Sequence, residues 1–133
     1  MNGQPSSAAP IRIALMCENP IVYQTLGPRL SADRSLDVVG SHDCTIETVP
    51  VALARHPHVV ILGISRITHF NKIIVQALRQ TAPAVRIIML PSYLDTPEDV
   101  PQARAAGADV VLEKSIDTPT LVEQIHILLS PTA

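Results

Sequence analysis

The residues of this sequence that could act as nucleophiles or redox centres are its two cysteines, Cys17 and Cys44. Cys17 is followed by Glu18 and then by Asn19-Pro20, a helix-start signal. A thiol beside a helix N-terminus can ionise to a reactive thiolate, which would make Cys17 a redox sensor. The adjacent acidic Glu18 opposes that ionisation, and cysteine is among the most frequently buried residues. A buried structural cysteine is therefore the favoured interpretation of Cys17, and a redox thiol is the alternative.

A metal site would need several histidine, cysteine or carboxylate ligands at suitable spacing. The only closely spaced histidines are His56 and His58, which flank Pro57 ahead of an apolar run. Neither a second spaced pair nor a pair of cysteines accompanies them. Exposed histidines explain this pattern, so the sequence predicts no metal site.

Short apolar runs alternate along the chain with longer stretches that have helical character. The runs are rich in Val, Ile and Leu, and most do not alternate polar with apolar residues, which is typical of parallel strands buried on both faces. They cover residues 11–16, 36–40, 59–63, 85–90 and 109–112.

Each apolar run is followed by a predicted helix. Asn19-Pro20, Thr96-Pro97 and Thr118-Pro119 each combine a capping residue with a proline suited to the first turn. Pro101 falls inside the fourth predicted helix, where its missing N–H should kink or shorten that helix. The predicted helices cover residues 21–30, 46–55 after a capping Thr45, 70–80, 97–106 and 121–129.

Five strand–helix units in succession predict an α/β fold, with a parallel sheet, helices on both faces and right-handed crossovers. The common arrangement for five units is a flavodoxin-like, doubly wound (βα)5 sheet with strand order 2-1-3-4-5. Its site lies at the carboxyl ends of strands 1 and 3, where the strand order reverses. The loops predicted to meet there are Cys17-Glu18-Asn19, Gly63-Ile64-Ser65, Pro91-Ser92-Tyr93 and Glu113-Lys114-Ser115.

Composition limits the classes of protein that this chain can be. Its 133 residues, 47% hydrophobic and 17% charged, fit one domain with its own core at 11–129, between flexible tails at 1–10 and 130–133. Ten basic against 12 acidic residues argue against a nucleic-acid-binding surface. Two cysteines are too few for a secreted disulfide framework, no apolar run is long enough to span a membrane, and residues 1–10 do not form a signal peptide. We therefore expect a soluble cytoplasmic domain.

The chain resembles response-regulator receiver domains of two-component signalling over about residues 11–129, and most of all the receivers that precede helix-turn-helix DNA-binding domains. The resemblance is carried by IRIALMCENP at 11–20, by residues 36–40, and by AAGADVVLEK at 105–114. It implies the positions of the family's functional residues. These are the phosphoacceptor Asp at Gly63, the acidic pair at Cys17 and Glu18, the switch Thr or Ser at Pro91, the switch aromatic at Val111 and the Lys at Lys114.

Only Glu18 and Lys114 keep the residue type of the receiver family. An aspartyl phosphate needs a carboxylate nucleophile, which Gly63 cannot supply, and Mg²⁺ needs oxygen ligands that a thiol does not replace. Gly63 could also serve a close approach or an unusual backbone conformation. Lys114 beside Glu18 would form a structural ion pair or, alternatively, an anion site. We therefore expect a chemically silent pocket, with no cofactor and no enzymatic activity.

The resemblance then implies a degenerate receiver that binds protein partners independently of phosphorylation. Such contacts commonly use the face made by helix 4, strand 5 and helix 5, and residues 95–123 hold seven acidic against two basic residues. The expected partner is a basic or amphipathic protein (a regulator, a kinase or a second copy), without direct nucleic-acid or membrane binding; a solvated acidic face without a partner is the alternative. The alternative functions are the regulatory module of a transcription regulator whose helix-turn-helix is not in this chain, and a small-molecule sensor or enzyme using the same crevice. The partner-face residues are Glu98, Asp99, Asp109 and Glu113.

Overall fold

The five apolar runs form one parallel sheet in the computed structural model, which describes residues 9–113 and 115–130. The strands are β1 (Ile11–Cys17), β2 (Leu36–Asp43), β3 (Val59–Ile64), β4 (Arg86–Pro91) and β5 (Val110–Val111). Their order in the sheet is β2-β1-β3-β4-β5, and every pair is parallel. The predicted α/β class and strand order are confirmed. The predicted tails, 1–10 and 130–133, lie almost entirely outside the described residues.

Helices follow the strands as predicted, and side chains cap three of them. Asn19 accepts a hydrogen bond from the N–H of Ile21, Thr68 from that of Asn71, and Asp117 from that of Thr120. None of the helices in the described residues is long and apolar enough to cross a membrane. The helices are α1 (Pro20–Ser31), α2 (Val49–Leu53, after a 3-10 turn at Ile46–Thr48), α3 (His69–Thr81), α4 (Asp99–Ala106) and α5 (Thr118–Leu128).

The predicted start of α4 at Thr96-Pro97 is wrong by two residues, because the helix begins at Asp99. Of the kink or shortening expected at Pro101, the structure shows a shorter helix, of eight residues. The carboxylate of Asp99 accepts hydrogen bonds from the N–H groups of Asp95 (2.7 Å) and Thr96 (3.1 Å), which holds residues 95–98 in a turn ahead of the helix. Pro101 is consequently the third residue of α4. An N–H in the first turn has no intrahelical acceptor, so the proline removes no helical hydrogen bond.

Two core layers flank the sheet, because successive residues of its central strands point to opposite faces. Along β1, Ile13, Leu15 and Cys17 face α1 and α5, whereas Ala14 and Met16 face α2, α3 and α4. All residues of β3 are buried. This double burial explains the continuous apolar runs in the sequence and confirms the doubly wound arrangement.

An ion pair locks α3 to the β4–β5 side of the sheet. Nη2 of Arg79 lies 2.7 Å from Oδ2 of Asp109, which also accepts a hydrogen bond from the N–H of Ile87 at 2.7 Å. Arg79 donates further hydrogen bonds to the carbonyl oxygens of Val85 (2.6 Å) and Gly107 (2.8 Å). One guanidinium thus satisfies carbonyl groups of two segments, the one just before β4 and the one just before β5.

Candidate functional site

The predicted site lies at the carboxyl edge of the sheet, by which we mean the residues that follow the strands, including the first residues of α1 and α3 (residues 18–21, 44–48, 65–70, 92–98 and 113). Cys17 of β1 pairs in register with Gly63 of β3, and the N–H of Glu18 donates to the Gly63 carbonyl at 2.9 Å. The N–H of Tyr93 donates to the carbonyl of Ser65 at 3.0 Å. The structure therefore brings together the loops after β1, β3 and β4.

A side chain at Gly63 would be crowded by its neighbours. A Cβ atom built on it would lie 3.0 Å from Sγ of Cys17 and 3.0 Å from Cγ1 of Val22, closer than such atoms normally approach. Among the described glycines only Gly107 has a positive φ, so Gly63 is needed for close approach and not for its backbone conformation. A side chain at position 63 would therefore have to displace the Cys17 thiol and the Val22 methyl group by a few tenths of an ångström.

The retained acidic residue, Glu18, has a structural partner. Its Oε1 accepts a hydrogen bond of 2.8 Å from the N–H of Ser65, which ties the loop after β3 to the end of β1. Lys114 lies outside the described residues, so its ion pair with Glu18 stays a prediction. Across the described part of the chain, no group of three or more His, Cys, Asp or Glu residues could hold a metal ion.

Neither cysteine has the surroundings of a reactive thiol. Cys17 is completely buried. Burial raises the pKa of the Cys44 thiol to about 12, and the nearby Glu18 and Cys17 add to this shift. A thiol with so high a pKa stays protonated at neutral pH and is a poor nucleophile. These surroundings favour the structural interpretation of Cys17 over the redox one.

The switch positions are apolar as well. Pro91 ends β4, is buried, and pairs with Ile64 of β3. Val111 lies in β5 and packs against the core layer that faces α3 and α4. Sequence analysis did not single out Arg66, whose guanidinium carbon lies 5.4 Å above the ring centroid of Tyr93. Only its position in the loop after β3 could have drawn attention to it.

Similarity to solved structures defines the fold family. The signal receiver domain of the putative response regulator NarL from Mycobacterium tuberculosis superposes with a TM-score of 0.79 at 21% identity, covering 91% of this chain and 97% of that one. The fold is that of a response-regulator receiver domain. A LuxR-family two-component response regulator from Aurantimonas sp. SI85-9A1 gives a TM-score of 0.70 at 25% identity, with 90% and 85% coverage.

A sequence relative points to the same type of regulator. The nitrate/nitrite response regulator protein homolog of Haemophilus influenzae is 27% identical over 115 residues, which cover 86% of this chain. The chain spans about half the length (55%) of that relative. No protein-family profile matches the sequence. The structural neighbours are receivers of NarL- and LuxR-type regulators, as the sequence resemblance implied.

Two of the four residues expected on the partner face of this receiver fold make contacts within the domain, and the face itself stays a prediction. Asp99 is only 9% exposed, and hydrogen bonds from Thr96 and Asp95 hold the pKa of its carboxyl below the usual value. Asp109 is the ion-pair partner of Arg79. Glu98 and Glu113 are exposed, and both lie at the carboxyl edge.

Proposed function

We propose that this domain is a degenerate receiver that works in signal transduction by binding a protein partner without being phosphorylated. The observation that carries the proposal is the glycine at position 63, which supplies no carboxylate and whose Cβ position is crowded by Cys17 and Val22 at 3.0 Å each. Formation of an aspartyl phosphate requires a carboxylate whose oxygen attacks phosphorus. The residues around Gly63 supply a thiol and methyl groups instead.

The other requirements of receiver chemistry are also missing from the positions that the resemblance identifies. Mg²⁺ prefers several oxygen ligands in octahedral geometry, and of the acidic pair only Glu18 retains a carboxylate, which already accepts the Ser65 N–H. Pro91 has neither a hydroxyl nor an N–H to offer a phosphoryl oxygen. We accordingly propose a cytoplasmic domain with no bound metal or cofactor and no enzymatic activity.

The face for partner binding is proposed with fewer residues than the sequence suggested. Glu98 and Glu113 keep their exposed carboxylates, and a basic or amphipathic protein surface would complement them. A kinase, another regulator or a second copy of the chain belongs to this class of partner. A second candidate function is supported by the greater length of the Haemophilus relative: the regulatory module of a DNA-binding transcription regulator.

Charge reversal at the exposed carboxylates tests the partner proposal. We expect Glu98→Lys with Glu113→Lys to lower recovery of the partner from extract of the native cell by about tenfold, because rim charges tune association and its salt dependence. Recovery should be measured by quantitative mass spectrometry on beads carrying the domain, with and without acetyl phosphate. Asp37→Lys, an exposed residue of β2, is the matched control and should leave recovery unchanged. Equal recovery by all variants, or recovery that depends on acetyl phosphate, would contradict the proposal.

A further inference from the structure

Large apolar side chains are concentrated at the carboxyl edge. Among the described residues eight large hydrophobic side chains are exposed, and five of them follow the ends of strands. Phe70 is 78% exposed and Tyr93 61% exposed. Exposed large apolar side chains on one edge of a domain, surrounded by polar residues, are typical of protein interaction sites. The five residues are Ile21, Ile46, Phe70, Tyr93 and Leu94.

Contacts hold the loop after β3, which precedes Phe70, and join it to the loop after β4, which carries Tyr93. Asn71 is buried and donates from Nδ2 to the carbonyl of Arg66 at 2.7 Å, while its Oδ1 accepts the N–H of Thr68 at 2.9 Å. The Arg66 guanidinium lies over the ring of Tyr93 and 3.6 Å from a carboxylate oxygen of Asp95. The loops after β3 and β4 are therefore joined. A partner that binds there would lose little affinity to the entropy cost of ordering these loops.

The charge of the same surface limits what can cover it. In the described part of the carboxyl edge and the adjoining turns, exposed carboxylates outnumber the basic residues Arg66 and Lys72. An acidic surface repels nucleic acid, anionic membranes and a copy of itself related by a two-fold axis. A partner with basic residues around an apolar stripe has complementary charge. The exposed carboxylates are those of Glu18, Asp43, Glu47, Asp95, Glu98 and Glu113.

We propose that the carboxyl edge is the docking surface for a basic amphipathic helix of a partner protein. The apolar face of that helix packs on Phe70 and Tyr93, and its Lys and Arg side chains lie against the surrounding carboxylates, including Glu47 and Glu98. In a phosphorylatable receiver this edge has to admit a phosphodonor. Here Gly63 supplies no phosphoacceptor, so a partner that stays bound at this edge would block no phosphoryl transfer. The proposal rests on the phosphorylation-independent function and specifies its surface.

The test uses a fluorescein-labelled, 18-residue amphipathic helix of Leu and Lys as the probe, and its Leu/Glu counterpart as the charge control. Fluorescence anisotropy with the full chain should show binding of the Leu/Lys peptide, weakened by salt, and none of the Leu/Glu peptide. Phe70→Ser with Tyr93→Ser should weaken binding about tenfold, since exposed aromatic anchors dominate such interfaces. Ile127→Ser is the matched control: this side chain is 57% exposed at the end of α5, on the opposite edge, and its loss should change affinity less than about twofold.

The docking surface would be overturned if the Leu/Lys peptide did not bind. It would also be overturned if Ile127→Ser weakened peptide binding as much as Phe70→Ser with Tyr93→Ser. Sedimentation that shows a dimer lost in the Phe70→Ser, Tyr93→Ser variant would also overturn it, in favour of a second copy as the occupant. Repeating the titration after treatment with acetyl phosphate and Mg²⁺ separates the two proposals. Binding that appears only after this treatment would refute phosphorylation independence, whereas absence of binding in both conditions refutes the docking surface alone.

Discussion

Gly63→Asp should destabilise the domain and leave it unphosphorylated, although it restores the carboxylate that a receiver requires. The new Cβ would lie 3.0 Å from Sγ of Cys17 and from Cγ1 of Val22, so that both neighbours would have to shift. Overpacking and the burial of a charge without a partner together cost about 2–4 kcal/mol. Urea unfolding measures this loss, and intact-mass spectrometry after incubation with acetyl phosphate measures phosphorylation.

Two comparison variants distinguish the steric effect of the new side chain from the lack of other groups needed for phosphorylation. Gly27→Ala in α1 adds a Cβ that meets only Cδ1 of Leu15, at an ordinary 3.8 Å, so this buried glycine should tolerate the change. The triple variant Cys17→Asp, Gly63→Asp, Pro91→Thr should be phosphorylated to a greater extent than any single variant. It supplies the nucleophile, a metal ligand and the switch hydroxyl together. Phosphorylation of the single Gly63→Asp variant to the level of the triple would show that the pocket alignment is wrong.

Arg79→Ala should cost the domain about 2–4 kcal/mol of unfolding free energy. The substitution removes the 2.7 Å ion pair of the partly buried Asp109 carboxylate and the donors to the carbonyl oxygens of Val85 and Gly107. Asp109 keeps the Ile87 N–H and the more exposed Arg86, 3.6 Å away, as partners. Arg66→Ala is the matched control, because its ion pair with Asp95 is about half exposed and 3.6 Å long. Exposed pairs of this kind contribute about 0–1 kcal/mol. Similar urea midpoints for the two variants would mean that the Arg79 network does not lock α3 to the sheet.

Much of the fold follows from the sequence because local signals and core burial agree. The length of the central apolar runs and their lack of polar–apolar alternation indicate parallel strands buried on both faces. Asn19-Pro20 begins α1, as expected of a capping residue followed by a first-turn proline. The start of α4 was mispredicted because Thr96-Pro97 is a good helix-start signal in isolation. The Asp95 and Thr96 N–H groups donate to the Asp99 carboxylate instead, which favours a turn over a helix start at Thr96-Pro97. The sequence pattern does not predict these hydrogen bonds.

The candidate site was predictable in its location but not in its packing. Strand order alone brings Cys17 beside Gly63, and the resemblance alone identifies Gly63 as the phosphoacceptor position. That Val22 crowds the Cβ position of Gly63 depends on how α1 packs against the sheet. A count of acidic residues places Asp109 on a partner face. The count does not reveal that Arg79, 30 positions away in the sequence, binds its carboxylate. Charge counts do not separate carboxylates engaged inside a domain from those available to a partner.

Intact-mass spectrometry of the unmodified chain tests the central claim most directly. The protein should be incubated with acetyl phosphate and millimolar Mg²⁺, beside a phosphorylatable receiver as the positive control. The absence of a carboxylate at Gly63 and the buried Pro91 predict an unchanged mass for this chain while the control gains one phosphoryl group. A stoichiometric gain of one phosphoryl group, mapped by peptide sequencing to the carboxyl edge, would contradict the account of a phosphorylation-independent receiver.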